Sequence, residues 1–131
     1  MLSNRIGMVF VSELGKYDIA VAEWRVILTL ALHKKASGQE ITRRWAMDKM
    51  AVNRAIARLE RRGLIEKAQN STDRRTIDLF LTATGHASYQ ELLPIANARY
   101  HELTAGLDKS EVKLLRRLLT KMIAHADAMV D

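Results

Sequence analysis

The residues best equipped for chemistry in this chain are arginines, an asparagine and an aspartate, gathered in two short stretches. One runs Lys49-Met50-Ala51-Val52-Asn53-Arg54 and continues through Arg58 to Arg61-Arg62; the other is Asp73-Arg74-Arg75. Asparagine pairs bidentately with adenine, arginine with guanine, and Met or Ala can touch a thymine methyl, so the first stretch holds what reading a major groove requires. The second sets two guanidinium groups beside a carboxylate. A narrow minor groove has an enhanced negative potential that attracts an inserted Arg. A carboxylate two residues away can hold such a guanidinium in a charge-assisted pair.

Each stretch also has a plainer explanation. Surface arginines are commonly just solvated, Arg61 and Arg62 suit a helix C-terminus through its dipole, and Asp73 can serve only to stabilise a turn. Against this, Arg54/Arg58 and Arg58/Arg62 are like-charge pairs four residues apart. Each costs roughly a few tenths of a kcal/mol in isolation, which an external anion would relieve. Nor does a turn need two adjacent arginines.

Local signals indicate the elements that must position these groups. Leu2, Ile6, Val9, Phe10 and Leu14 form one stripe of a first helix over 1–15. A second helix over 19–35 turns Val21, Trp24, Ile27, Leu28 and Ala31 inward, and Ser37-Gly38 interrupts it. A short third helix over about 39–46 carries Ile41 and Trp45. Asp48 caps a fourth over 49–62 with Gly63 beyond its end. Within it Val52, Ala55, Ile56 and Leu59 face inward, while Met50, Asn53, Arg54, Ala57 and Arg61 face outward with Arg58 at the margin.

Segments 64–69 and 76–81 then switch to period two, with Ile77, Leu79 and Leu81 on one side. The polar stretch 70–73 between them forms a hairpin tip. Thr82 caps a long fifth helix reaching about Leu103, in which Pro94 should produce a kink. Asp108 and Glu111 form a capping box for a last helix with Val112, Leu115, Leu119, Met122, Ala126 and Met129 in one stripe. Two helices joined by a tight turn and followed by a β-hairpin make a winged helix-turn-helix, whose second helix enters the major groove. The expected fold is therefore mainly α with a small β-wing.

Composition agrees with one domain of 131 residues: 48% hydrophobic, 27% charged, a single proline and six glycines. The net charge of +6 is unevenly spread. Residues 34–75 hold twelve Lys/Arg against five Asp/Glu, and the remainder nine against ten, so one third of the chain carries the whole imbalance. Such concentration suggests a polyanion footprint. Cysteine is absent, which excludes disulfides and thiolate metal sites. No apolar run approaches the roughly 20 residues of a membrane span, and the first residues do not resemble a signal peptide. A cytoplasmic protein without membrane association is expected.

Enzymatic function finds no support: there is no Gly-rich phosphate loop, nucleophile elbow or carboxylate pair beside a base. His33, His86, His101 and His125 are dispersed, so a metal-responsive sensor would have to assemble its site from several helices or subunits. A protein-interaction module that has lost DNA readout would show a neutralised recognition face or wing, whereas Arg54, Arg58, Arg74 and Arg75 are all present. Trp24, Met8, Tyr89 and Tyr100 could line an effector pocket, but apolar residues at helical spacing are more often core.

Five stretches together resemble the MarR family: Trp24-Arg25-Val26-Ile27-Leu28, Asp48-Lys49-Met50-Ala51-Val52-Asn53-Arg54, Leu59-Glu60-Arg61-Arg62-Gly63-Leu64-Ile65, Asp73-Arg74-Arg75 and Leu81-Thr82-Ala83-Thr84-Gly85. The resemblance covers nearly the whole chain. It implies a triangular homodimer built by the first, fifth and sixth helices, with segments 1–35 and 82–131 as dimerisation scaffold and 36–81 as the DNA-binding lobe. Ile6, Val9, Phe10, Leu115, Leu119 and Met122 are the candidate dimer-face residues. Their wide apolar stripes independently suggest a partner surface, though intramolecular core would look the same.

By this resemblance Arg75 is the minor-groove arginine, Asp73 its orienting partner, and Met50, Asn53 and Arg54 face the groove. With Lys49, Arg58, Arg61 and Arg74 they complete the candidate interface with double-stranded DNA. The implied function is repression at a pseudo-palindromic operator, relieved by a small, often aromatic effector; no cofactor is expected. Three departures stand out. Ala20 occupies a position usually Thr or Ser, leaving the second helix's cap to another group, with Asp18 the nearest candidate. Met50 and Ala51 replace the usual hydroxyls, and the N-terminus is short for the family, so a smaller contribution of the first helix to the dimer is expected.

Overall fold

A computed structural model describes residues Met1–Val130. The chain forms two compact units, one over 1–96 and the other from 97 onward.

In the first unit, α1 (Leu2–Gly15) and α2 (Val21–His33) are joined by a turn in which Asp18 takes a left-handed conformation, φ 56°. Ala20, the residue before α2, has no side chain with which to cap it. Its N–H instead donates to Glu23 Oε1 at 2.9 Å, so the compensating group is Glu23 rather than the expected Asp18. A two-residue strand, β1 (Ala36–Ser37), precedes α3 (Gly38–Trp45). Ser37, read from sequence as an interruption, caps α3 by accepting from Glu40 N–H at 3.1 Å and donating to Glu40 Oε1 at 3.3 Å.

The helix-turn-helix is closed by Ala46, left-handed at φ 50° without being glycine, followed by α4 (Lys49–Arg61). Asp48 caps α4 as expected, accepting from Ala51 N–H at 3.0 Å. Gly63, φ 72°, supplies the left-handed residue that turns the chain from α4 into β2 (Ile65–Gln69). The wing is completed by β3 (Ile77–Leu81), which lies central in an antiparallel sheet of order β1-β3-β2. Two residues are too few to show period two, which is why β1 escapes a sequence reading.

Burial on β3 differs from strict alternation. Leu79 and Leu81 are in the core, but Ile77 is exposed and Asp78 is buried. Ile77 pairs with Gln69 at the outer end of the hairpin, whereas Asp78 lies between Ser37 on one side and Ala68 on the other. The core gathers Leu14, Ile27 and Leu30 from the first two helices, Ile41 from α3, and Val52, Ile56 and Leu59 from α4. The inward face foreseen for α4 is thus the buried one.

The long helix α5 (Ala83–Leu103) begins in this unit and contains Pro94. Thr82 Oγ accepts from Gly85 N–H at 3.0 Å and donates to the Gly63 carbonyl at 2.6 Å. Any Cβ on Gly85 would overlap the Leu64 carbonyl oxygen. The L-T-x-x-G stretch thereby welds the start of α5 to the turn that ends α4.

In the second unit, the end of α5 turns through 104–108 into α6 (Lys109–Val130). Asp108 and Glu111 form the reciprocal capping box, with Asp108 Oδ1 accepting from Glu111 N–H at 2.8 Å and Glu111 Oε1 accepting from Asp108 N–H at 3.0 Å. These contacts and the Ser110 hydroxyl hold the Asp108 carboxyl below its ordinary range, the hydroxyl contributing most. Arg116 donates to the Tyr100 hydroxyl at 2.9 Å, tying α6 to the end of α5. No described residue of α6 is buried, and Leu114, Leu115, Leu118, Leu119, Met122 and Ile123 are all exposed. Among the described residues, no helix is long and apolar enough to cross a membrane.

Candidate nucleic-acid interface

The outer face of α4 carries Lys49, Met50, Asn53, Arg54 and Arg61, all exposed. Its opposite face is fixed in the core by Val52, Ala55, Ile56 and Leu59. Exposure of Met50, at 67%, leaves a large apolar side chain in solvent where packing does not require one. Lys49 and Asn53 line an open recess with Gly38, Gln39 and Thr42 from α3. Behind α3, Trp45 Nε1 donates to the buried Thr29 hydroxyl at 2.8 Å, and the Arg25 guanidinium lies over the Trp45 ring at 5.3 Å. The two helices of the motif are therefore anchored to α2 independently.

Arg58 is placed differently from its expected role. Its Nη1 donates to Glu23 Oε1 and its Nη2 to Asp18 Oδ1, each at 2.7 Å. Arg62, one turn on, donates to the Asp18 carbonyl at 2.6 Å and lies 3.8 Å from Glu23 Oε2. The like-charge pair that seemed to call for an external anion is thus neutralised from within the fold. Bonding and charge from Arg58 hold the Asp18 carboxyl below the ordinary range, and Arg58 is shifted upward by Asp18 first and Glu23 second. Asp18 therefore stabilises the fold above the ordinary carboxylate range, and its contribution is lost as pH falls through the lowered value. Arg54 has no ion pair or side-chain hydrogen bond among the described residues, and it remains at the outer face.

At the wing, Arg74 and Arg75 are exposed beside Asp73. The Asp73 carboxylate does not grip the Arg75 guanidinium as expected. Its Oδ1 accepts from the Arg75 backbone N–H at 3.0 Å and its Oδ2 from the Thr76 hydroxyl at 3.2 Å. Asp73 accordingly shapes the backbone that presents Arg75, the turn-stabilising alternative of the sequence reading.

Sequence reasoning missed Asn70. Its Oδ1 accepts from the backbone N–H groups of Thr72 and Asp73, both at 2.9 Å, and from the Thr72 hydroxyl at 2.7 Å. Its Nδ2 donates to buried Asp78 Oδ2 at 2.9 Å, and Lys35 lies 3.6 Å from the same oxygen. The signal was present: Asn followed by Ser-Thr-Asp is Asx-turn chemistry.

The other expected features separate. Of the candidate dimer-face residues, Val9, Leu115, Leu119 and Met122 are exposed, Ile6 is half-buried, and Phe10 packs partly on the core of the first unit. Trp24 and Tyr89 stack at 6.0 Å with Trp24 buried, whereas Met8 and Tyr100 are exposed. Among the described residues, no group of three or more His, Cys, Asp or Glu side chains could hold a metal ion.

Comparison with known proteins agrees with this arrangement. A family model described as the MarR family matches residues 17–76, which span α2 to the wing tip. The regulator FarR of Neisseria gonorrhoeae is 27% identical over 116 residues, covering 88% of this chain and 80% of that protein. A structure of a MarR variant from Escherichia coli complexed with operator DNA superposes with a TM-score of 0.79 at 25% identity, covering 93% of this chain and 88% of the other. BpsR of Bordetella bronchiseptica, whose DNA binding is regulated by 6-hydroxynicotinic acid, superposes at 0.80 with 26% identity over 92% of this chain and 91% of its own. With the helix-turn-helix, the three-stranded wing and the exposed arginines in place, the chain is similar along most of its length to MarR-family winged helix-turn-helix proteins, and the family model itself matches residues 17–76.

Proposed function

We propose that this protein is a cytoplasmic transcriptional regulator without catalytic activity, which binds a pseudo-palindromic operator in double-stranded DNA as a homodimer. The observation that carries the reading is the outer face of α4. Asn53, Arg54 and Met50 stand exposed on a helix whose opposite face is locked in the core. In this assignment 36–81 is the DNA-binding lobe, with Met50, Asn53 and Arg54 at base edges and Lys49 and Arg61 toward phosphates. Arg74 and Arg75 meet the minor groove at the wing, shaped by Asp73. Repression follows from occupying a promoter, and a small effector releases it, as the related MarR–operator complex and the ligand-regulated BpsR suggest. The dimer face uses Ile6, Val9, Leu115, Leu119 and Met122, with Phe10 at its edge.

The test is selection of bound duplexes from a random pool, with affinity followed by fluorescence anisotropy at several salt concentrations. An inverted repeat with half-sites about ten base pairs apart, and a steep loss of affinity with salt, is the expected result. Weak, salt-sensitive binding without a preferred sequence would reduce the protein to a basic surface without readout.

A further inference from the structure

Four side chains from three elements converge behind the recognition helix. Glu23, 1% exposed on the first turn of α2, receives Arg58 through Oε1 and stands 3.8 Å from Arg62 through Oε2. The same Oε1 also accepts the Ala20 N–H that opens α2. Asp18, in the left-handed turn between α1 and α2, receives Arg58 through its carboxylate and Arg62 through its carbonyl. A buried carboxylate is costly unless paired, so Glu23 favours one placement of Arg58. Two guanidinium groups one turn apart, held at two anchor points, constrain both the rotation and the tilt of α4. Its other restraints include the apolar face in the core, an exposed Glu60–Lys67 pair at 3.7 Å, and the Gly63 carbonyl held by Thr82 beyond its end, and neither of these two polar contacts reaches α2.

We propose that Asp18 and Glu23 are positioning residues for DNA recognition. Through Arg58 and Arg62 they set the angle at which Asn53 and Arg54 meet base edges, without touching DNA themselves. This rests on the reading of α4 as the recognition helix. It also reassigns Arg58 from DNA contact to strut, and it makes the α1–α2 turn a point from which displacement reaches the groove.

The experiment compares E23Q, D18N, R58A, R58K and the E23Q/R58A double variant with the unmodified protein on the operator selected from the random pool. Affinity is measured well below each variant's unfolding transition, so that fold stability does not enter. E23Q keeps an acceptor for Ala20 but removes the charge. D18N suits the left-handed backbone and lies at an exposed position, so it keeps the test open should E23Q fail to fold.

Weakening on the order of tenfold is expected for E23Q and R58A, with a smaller loss for D18N and partial recovery in R58K. The loss in the double variant should fall well short of the sum of the two single losses, since E23Q and R58A share the Glu23–Arg58 contact and differ only in the Arg62 and Asp18 contacts. The base preference of the variants should broaden at positions read by Asn53, and the slope of affinity against salt should stay unchanged. Were Arg58 bound to a phosphate instead, its removal would lower that slope by about one. Unchanged affinity in E23Q and D18N, or a lowered slope in R58A alone, overturns the positioning role. If the unmodified protein selects no sequence at all, the reading of α4 itself fails and the proposal falls with it.

Discussion

Asn53 and Arg75 are the two side chains whose removal distinguishes reading from anchoring. Both are exposed, so truncation leaves the core untouched. For Asn53→Ala, the expected result is altered preference at one or two base pairs, by roughly 1–3 kcal/mol for a lost bidentate contact. Selection from a random pool measures this directly, and an unaltered base profile would make Asn53 a surface residue. Arg75→Ala should weaken specific binding about tenfold with helix content unchanged by circular dichroism. Equal affinity in that variant would remove the minor-groove role. Much of this residue-scale picture is legible in the sequence, because outward positions on α4 follow from the spacing of Val52, Ala55, Ile56 and Leu59 alone. Arg58 is the instructive exception. Its partners lie 35 and 40 residues away, at Glu23 and Asp18, and no local periodicity points to them.

Among the elements, the sequence is most informative where a cap is local. Asp48, Thr82 and the Asp108/Glu111 pair each act within three residues, and each is found where the sequence places it. Ser37 followed three residues later by Glu40 carries the same signal, but Gly38 beside it suggested a break instead. The turn between α3 and α4 is less economical. Ala46 sits at φ 50° and ψ 44°, a conformation that L-residues other than Gly, Asn and Asp rarely take. Ala46→Gly should raise stability, by about 0.5–1 kcal/mol, since relieving this strain outweighs the entropy gained by the unfolded chain. Denaturant titration would reveal it as a higher midpoint at unchanged slope; a lower midpoint would mean that the left-handed alanine carries no strain.

For the whole molecule, the telling feature is a helix of 22 residues with no buried side chain among those described. A stripe holding Leu115, Leu119 and Met122 in water is a liability unless a second copy covers it. Leu119→Glu should therefore leave the single chain's fold within about 0.5 kcal/mol of its original stability, while shifting sedimentation toward the monomer and abolishing tight operator binding. Sedimentation of the variant as a dimer would place the interface elsewhere. The sequence foreshadows this stripe by its width, yet width alone does not separate a partner surface from internal core, and the sedimentation of the variant is what distinguishes them.

The left-handed alanine between α3 and α4 has a bearing on how such a protein changes over generations. Substitutions that retune the outer face of α4 to a new operator fall at exposed positions, where each shifts stability by up to about 0.5 kcal/mol and several together can add to a real cost. A position where a single codon change to glycine returns about 0.5–1 kcal/mol is a reserve against that cost, located at the base of the helix being retuned. Lineages that acquire glycine at position 46 first are then the ones free to explore Met50, Asn53 and Arg54. New operator specificities should accordingly be found more often on that background than on the present one.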